Sequence, residues 1–139
     1  MTSRIDRFTK PVLGLPVGAT ITNVAVCARA RRVKNVTWPT VPTITLGLYF
    51  GGSDYFAASS ESLTDSYVDY ARNWAGNPAG GSWSETDVDN MLISLKGQSN
   101  RILKFGLYYY SVARATQVWI VVSYTVGAGP VQSMLVQVM

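Results

Sequence analysis

Two pairs of carboxylates are spaced closely enough to suggest chemistry: Asp87 and Asp89 flank Val88, and Asp65 and Asp69 stand four residues apart. Paired carboxylates can hydrolyse glycosides, and clustered ones can hold calcium. Neither pair sits in the D-x-[DN]-x-[DN]-G run of a calcium loop, and Asp87 has a competing task at the start of a helix. The chain has no histidine and a single cysteine, Cys27. That closes the Ser-His-Asp and Cys-His routes and the usual zinc sites. Cys27 forms no intrachain disulfide and reads as a small packing residue, not a nucleophile. No enzymatic activity, metal or cofactor is expected.

Three other groups of residues are candidates for contact. Arg29, Arg31, Arg32 and Lys34 form a basic cluster. Tyr108, Tyr109 and Tyr110 run consecutively, with Trp119 further on, and can stack on a sugar or pack between subunits. Strand alternation sets Tyr109 opposite the other two, so part of the run belongs to the core. The third group is apolar and terminal: Leu13 and Leu15 near the start, Met134 and Leu135 near the end.

Charge is sparse and unevenly placed. Hydrophobic residues make up 47% and charged residues 14% of 139, against roughly 25% charged in an average soluble domain. So little charge implies that some surface is covered by other chains. Residues 1–34 hold seven basic groups against Asp6, and residues 35–100 hold seven acids against Arg72 and Lys96. A basic end and an acidic loop region suit contacts between copies. Arg4, Arg7, Lys10, Arg29, Arg31 and Arg32 are therefore expected contact residues. No Lys/Arg-rich run or RNA-binding motif is present, so a nucleic-acid partner is not expected. No apolar run reaches 18 residues, and the start MTSRIDRFTKP lacks a hydrophobic stretch, so neither a membrane span nor a secretory signal is expected.

The elements that position these groups read as short strands. Residues 1–20, interrupted by Pro11, Gly14, Pro16 and Gly18, have neither strand nor helix period and form an extended interaction arm. From Ile21 the chain alternates: Val24, Val26, Ala28 and Ala30 face one way, and Ala25, Cys27, Arg29 and Arg31 the other, with Cys27 covered by a second layer. Trp38-Pro39-Thr40-Val41-Pro42 is a rigid turn. Ile44, Leu46, Leu48 and Phe50 form the inner row of the next strand, ended by Gly51-Gly52. Residues 53–65 read as a loop and residues 66–74 as a strand. Ser84 caps a short helix, with Asp87 as the acidic half of a capping box and Trp83 stapled to Val88. Arg101–Ser111 and Thr116–Thr125 read as two further strands, and residues 126–139 as a terminal strand available for an intersubunit contact. Together these predict one all-β domain, an antiparallel β-sandwich over residues 21–125. Its simplest wiring is a jelly roll, with a barrel or immunoglobulin-like wiring as the alternative.

The loop W-x-x-N-P-A-G-G-x-W-S-x-x-D-V, anchored by Trp74, Asn77, Pro78, Gly80, Trp83, Ser84, Asp87 and Val88, has a recognisable setting. An Ile-Thr-Asn-Val-Ala-Val strand precedes it, and Ala-Thr-Gln-Val-Trp-Ile-Val-Val-Ser-Tyr at 115–124 follows it. The ordered set, over residues 20–125, resembles jelly-roll domains of tailed-phage structural proteins. Gly80-Gly81 stands where those domains commonly have Thr-Gly, and residues 98–114 are longer and more aromatic than their short connection. The resemblance implies a virion component: a capsid decoration (cement) protein, homo-oligomeric and most simply a trimer, bound to a major capsid protein or another virion protein. The alternative is a tail-fibre or appendage module that recognises a host receptor or glycan.

Overall fold

The computed structural model describes residues 2–35 and 41–139; the expected turn at Trp38-Pro39-Thr40 lies outside them. The elements run β1 (Thr2–Phe8), β2 (Ala19–Lys34), β3 (Thr43–Phe50), β4 (Ser53–Phe56), β5 (Glu61–Ser62), β6 (Val68–Trp74), α1 (Glu85–Asn90), β7 (Leu92–Lys104), β8 (Leu107–Val126) and β9 (Gln132–Gln137). All pairings are antiparallel. One sheet runs β1–β7–β3, with β4 and β5 on the far side of β3. The other runs β9–β8–β2–β6. The protein is an all-β sandwich with one short helix.

Period-two patterning builds the core. Val24, Val26, Ala28 and Ala30 of β2 and Val118, Ile120 and Val122 of β8 have no solvent exposure, and they meet Ile44, Leu46, Leu48 and Phe50 of β3 and Ile93 and Leu95 of β7. Cys27 is buried on the opposite face, and among the described residues no further sheet is stacked on that face. Cys27 lies in register between Ala71 and Trp119, and a short side chain between neighbours is shielded by them.

Residues 53–65 supply two short strands, β4 and β5, and not only a loop; the Gly51-Gly52 turn, with φ of 58° and 83°, sends β4 straight back along β3. Arg101–Ser111 is not one strand but a hairpin. Phe105 and Gly106, at φ 52° and 74°, form its two-residue turn, and Lys104 pairs with Leu107, Leu103 with Tyr108 and Arg101 with Tyr110. The expected strand at 116–125 is the second half of the 20-residue β8.

The first 20 residues also differ from expectation. Residues 2–8 contain neither Pro nor Gly and form β1, in register with β7 from Thr2 opposite Ser99 to Phe8 opposite Ile93. The breakers begin only at Pro11. Beyond them Leu13 and Leu15, 7% and 8% exposed, enter the protein's own core. Burial of each contributes about 1.5–3 kcal/mol. Asp89 holds this segment down: its carboxylate accepts from the Leu13 N–H at 3.1 Å and its carbonyl from Lys10 Nζ at 3.0 Å.

Candidate functional site

Each acid singled out above is engaged within the chain. Asp65 accepts from Arg32 at 2.7 Å and lies 3.5 Å from Lys34, and Arg32 holds its carboxyl below the usual range. Asp69 lies 3.4 Å from Arg29. Asp87 donates its backbone N–H to the Ser84 hydroxyl at 3.1 Å, while its carboxylate accepts from Asn77 at 3.0 Å. Among the described residues no three acid or thiol groups converge to hold a metal ion. The Cys27 thiol is pushed up chiefly by burial, with Asp69 adding to the effect. A raised thiol pKa leaves little thiolate at neutral pH.

Charges that are segregated along the sequence are therefore joined in space. The basic cluster of β2 meets the acids of the β5–β6 region within one molecule, and Arg31 stacks over Tyr67 at 4.9 Å. Arg7 of β1 reaches Asp54 of β4, with Arg7 Nε at 3.1 Å from the carboxylate and the guanidinium 4.2 Å above the Tyr49 ring. The buried Ser94 hydroxyl donates to the same carboxylate at 2.6 Å. The Arg7 hydrogen bond first, then Ser94, lowers the Asp54 pKa against the opposing effect of burial. Burial pulls Lys10 below its ordinary value. Of the expected contact residues, Leu13 and Leu15 are core, Met134 packs against it, and Arg7, Lys10, Arg29, Arg31 and Arg32 have partners in the same chain. Arg4, paired with its neighbour Asp6, and Leu135 remain open to solvent.

The loop anchors behave as their residue types predict. Asn77 makes a side-chain turn, its Oδ1 accepting from the Ala79 N–H at 2.9 Å. The Trp83 indole donates to the Trp74 carbonyl at 3.0 Å, and its ring lies in the core 5.7 Å from Phe50. Pro78 lies in the turn between Asn77 and Gly80, whose N–H donates to the Asn77 carbonyl at 2.9 Å. These residues fix a loop to the sandwich.

The surface that stands apart is the β7–β8 hairpin. Leu103, Phe105, Leu107 and Tyr108 are 60%, 88%, 61% and 53% exposed. Register places Leu103, Tyr108 and Tyr110 on one face with Arg101, and Ile102, Leu107 and Tyr109 on the other with Lys104, so both sides of the ribbon carry apolar side chains. Tyr109 and Tyr110 are half-buried, and the Arg101 guanidinium lies 4.1 Å from the Tyr108 ring. Asn35 clasps the ribbon's base: its amide donates to the Tyr108 carbonyl at 2.8 Å and accepts from the Tyr110 N–H at 2.9 Å. Leu103, Phe105 and Leu107 were not among the expected contact residues. Their signal in the sequence is the Phe-Gly pair between Lys104 and Leu107, a hairpin-turn position inside what otherwise reads as one strand.

A cleft of about 380 Å³ opens between the sheets beside β1, lined by Phe8, Ile44, Leu95, Ala113 and Ala115. Among the described residues that line it, the acidic side chain is Asp6, which is paired with Arg4 at 2.8 Å.

Compared with family models, curated proteins and solved structures, the chain matches none.

Proposed function

We propose that this protein is a phage virion structural protein, a capsid decoration module that works in several copies by burying its apolar hairpin against other virion chains. The observation that carries this reading is the exposed ribbon 103–108. Two-stranded ribbons are marginal on their own in water, and this one holds out four large apolar side chains, including a phenylalanine at a turn position that asparagine or glycine fills more easily. Such a patch marks an interaction surface. The sandwich presents the ribbon and contributes no reaction of its own. The resemblance of the Trp74–Val88 loop and its flanking strands to phage jelly-roll domains points to the virion as the place of assembly.

The rival reading, a glycan-binding appendage, draws on the tyrosine run. The Arg101 guanidinium lies against the Tyr108 ring, and Tyr109 and Tyr110 are half-buried at the ribbon's base, which favours packing over sugar stacking.

Co-sedimentation with candidate capsids tests the proposal. Wild type is expected to pellet with particles, and the double variant Leu103→Ser/Phe105→Ser to stay in solution with an unchanged circular-dichroism spectrum. Equal pelleting of the two defeats the decoration reading. Saturable glycan binding that is lost in Tyr109→Ala favours the rival.

A further inference from the structure

A strand at the border of a sheet presents a row of backbone N–H and C=O groups, and natural proteins guard such borders with charge, proline or bulges. The borders of this sandwich are guarded unequally. β1 carries Arg4, Asp6 and Arg7, β4 carries Asp54, and β6 carries Asp69 and Arg72. β9 carries none of these: residues 131–139, VQSMLVQVM, contain no charge, proline or glycine.

Among the described residues β9 has one strand neighbour, β8. The Val138 N–H donates inward to the Val118 carbonyl at 2.9 Å, and the Met139 N–H shares that carbonyl at 3.1 Å in an irregular last step. Before it the register is regular from Gln137 opposite Trp119 to Gln132 opposite Tyr124. Antiparallel alternation then turns the backbone groups of Ser133, Leu135 and Gln137 outward, to the free side. Side chains follow the same alternation between the two faces of the sheet. Met134, Val136 and Val138 pack on the core, while Leu135 stands on the outer face beside Val121, and Val121 beside Ala25. An apolar row thus crosses the outer face and stops at an unguarded border.

We infer that β9 pairs antiparallel with β9 of a second copy, about a two-fold axis at Leu135. In that register Leu135 lies opposite Leu135 of the second copy, and Ser133 lies opposite Gln137 on both sides of the axis. The residues so paired are those whose backbone groups point outward. Met134 lies opposite Val136, so the core-facing row stays apolar across the junction. The outer row Ala25–Val121–Leu135 continues into its own copy, and the sheet runs unbroken from β6 of one molecule to β6 of the other. A second copy suits this border better than the other borders do: β9 set against itself leaves no charged side chain at the junction, whereas β1 or β6 set against itself places Arg4, Asp6 and Arg7, or Asp69 and Arg72, there and must desolvate them. The contact is isologous and closes at two copies, unlike the three-copy ring expected from the sequence. It is independent of what the hairpin binds.

Size-exclusion chromatography with light scattering of the full chain reads this directly. Wild type is expected at twice the chain mass. Leu135→Pro removes an outward N–H without breaking the β8 ladder, and Leu135→Lys sets like charges on the axis; both are expected at the single-chain mass, with thermal melts confirming a folded domain. In a Cys27→Ser background, Leu135→Cys is expected to oxidise to a covalent dimer, because hydrogen-bonded antiparallel partners lie about 5.5 Å apart at Cα, within disulfide reach. A monomeric or trimeric wild type, a dimer that survives the lysine, or no cross-link overturns the inference. So does a β9 border that gains amide-exchange protection only on capsids, because that would make its partner strand foreign.

Discussion

The N-terminal segment and the β7–β8 hairpin are both apolar pieces outside the regular strand pairs of the core, yet they end in opposite places. The segment is irregular and broken by Pro11, Gly14, Pro16 and Gly18, with only four apolar side chains between Pro11 and Gly18. Two of these, Leu13 and Leu15, reach the core, while Val12 and Val17 point to solvent. Gly14, at φ 61°, lets the chain turn between the buried pair. The hairpin is regular throughout, and its regularity keeps it exposed. Ile102, Leu103, Leu107 and Tyr108 divide between two faces, and a ribbon can lay only one face on a core. Apolar content alone therefore does not say which segment serves a partner. What matters is whether the backbone can direct its apolar side chains to a single side.

The largest expected effect follows from that contrast. Leu13→Ala should lower stability by about 2–3 kcal/mol, the cost of an unfilled core site, read as a shift in the urea midpoint. Leu103→Ser, on the hairpin, should change it by less than about 0.5 kcal/mol. Equal losses at the two sites would mean that the hairpin packs on the domain as the arm does.

Much of the sandwich was legible because period-two burial is a local signal. The inner rows of β2 and β3, the Gly51-Gly52 turn and the Ser84 cap each follow from neighbouring residues. What escaped depends on partners far along the chain. β1 is a strand because β7 offers it a border some 90 residues away, with Thr2 opposite Ser99. The charge asymmetry suggested contacts between copies because sequence order hides that Arg29 and Arg32 come to lie beside Asp69 and Asp65. The hairpin was missed for a different reason: Tyr108, Tyr109 and Tyr110 drew the reading toward one aromatic strand and away from the Phe105-Gly106 turn beside them.

The clasp that ties the arm's strand across the sheet should show its own pH signature. The Asp54 pKa is lowered in the folded protein. Its contribution is therefore full above the unfolded carboxylate value of about 3.9 and is lost as pH falls through the lower folded value. At pH 7 Asp54→Asn should cost about 1 kcal/mol, a modest figure because the Arg7 side chain is 43% exposed and its charge is screened by solvent. The gap between wild type and variant should narrow once the pH drops below about 4. A gap that stays constant down to acid unfolding would remove Asp54 from the account of how β1 is held, leaving Leu13 and Leu15 to do it.

The smallest expected change in stability is the most discriminating, because its sign opposes its effect on assembly. Phe105 sits at φ 52° with its ring 88% exposed, a left-handed position that costs an aromatic residue and suits asparagine before glycine. Phe105→Asn should therefore leave the fold intact and raise hairpin stability by about 0.5 kcal/mol, seen as slower amide exchange at Leu103 and Tyr108. The same variant should decorate capsids less well, because it removes the most exposed apolar ring in the ribbon. A hairpin that gains order and loses binding is one whose turn residue is kept for contact at the expense of local conformation. If Phe105→Asn gains order and binds particles as wild type does, the tip is not the contact, and the difference between arm and hairpin is one of packing alone.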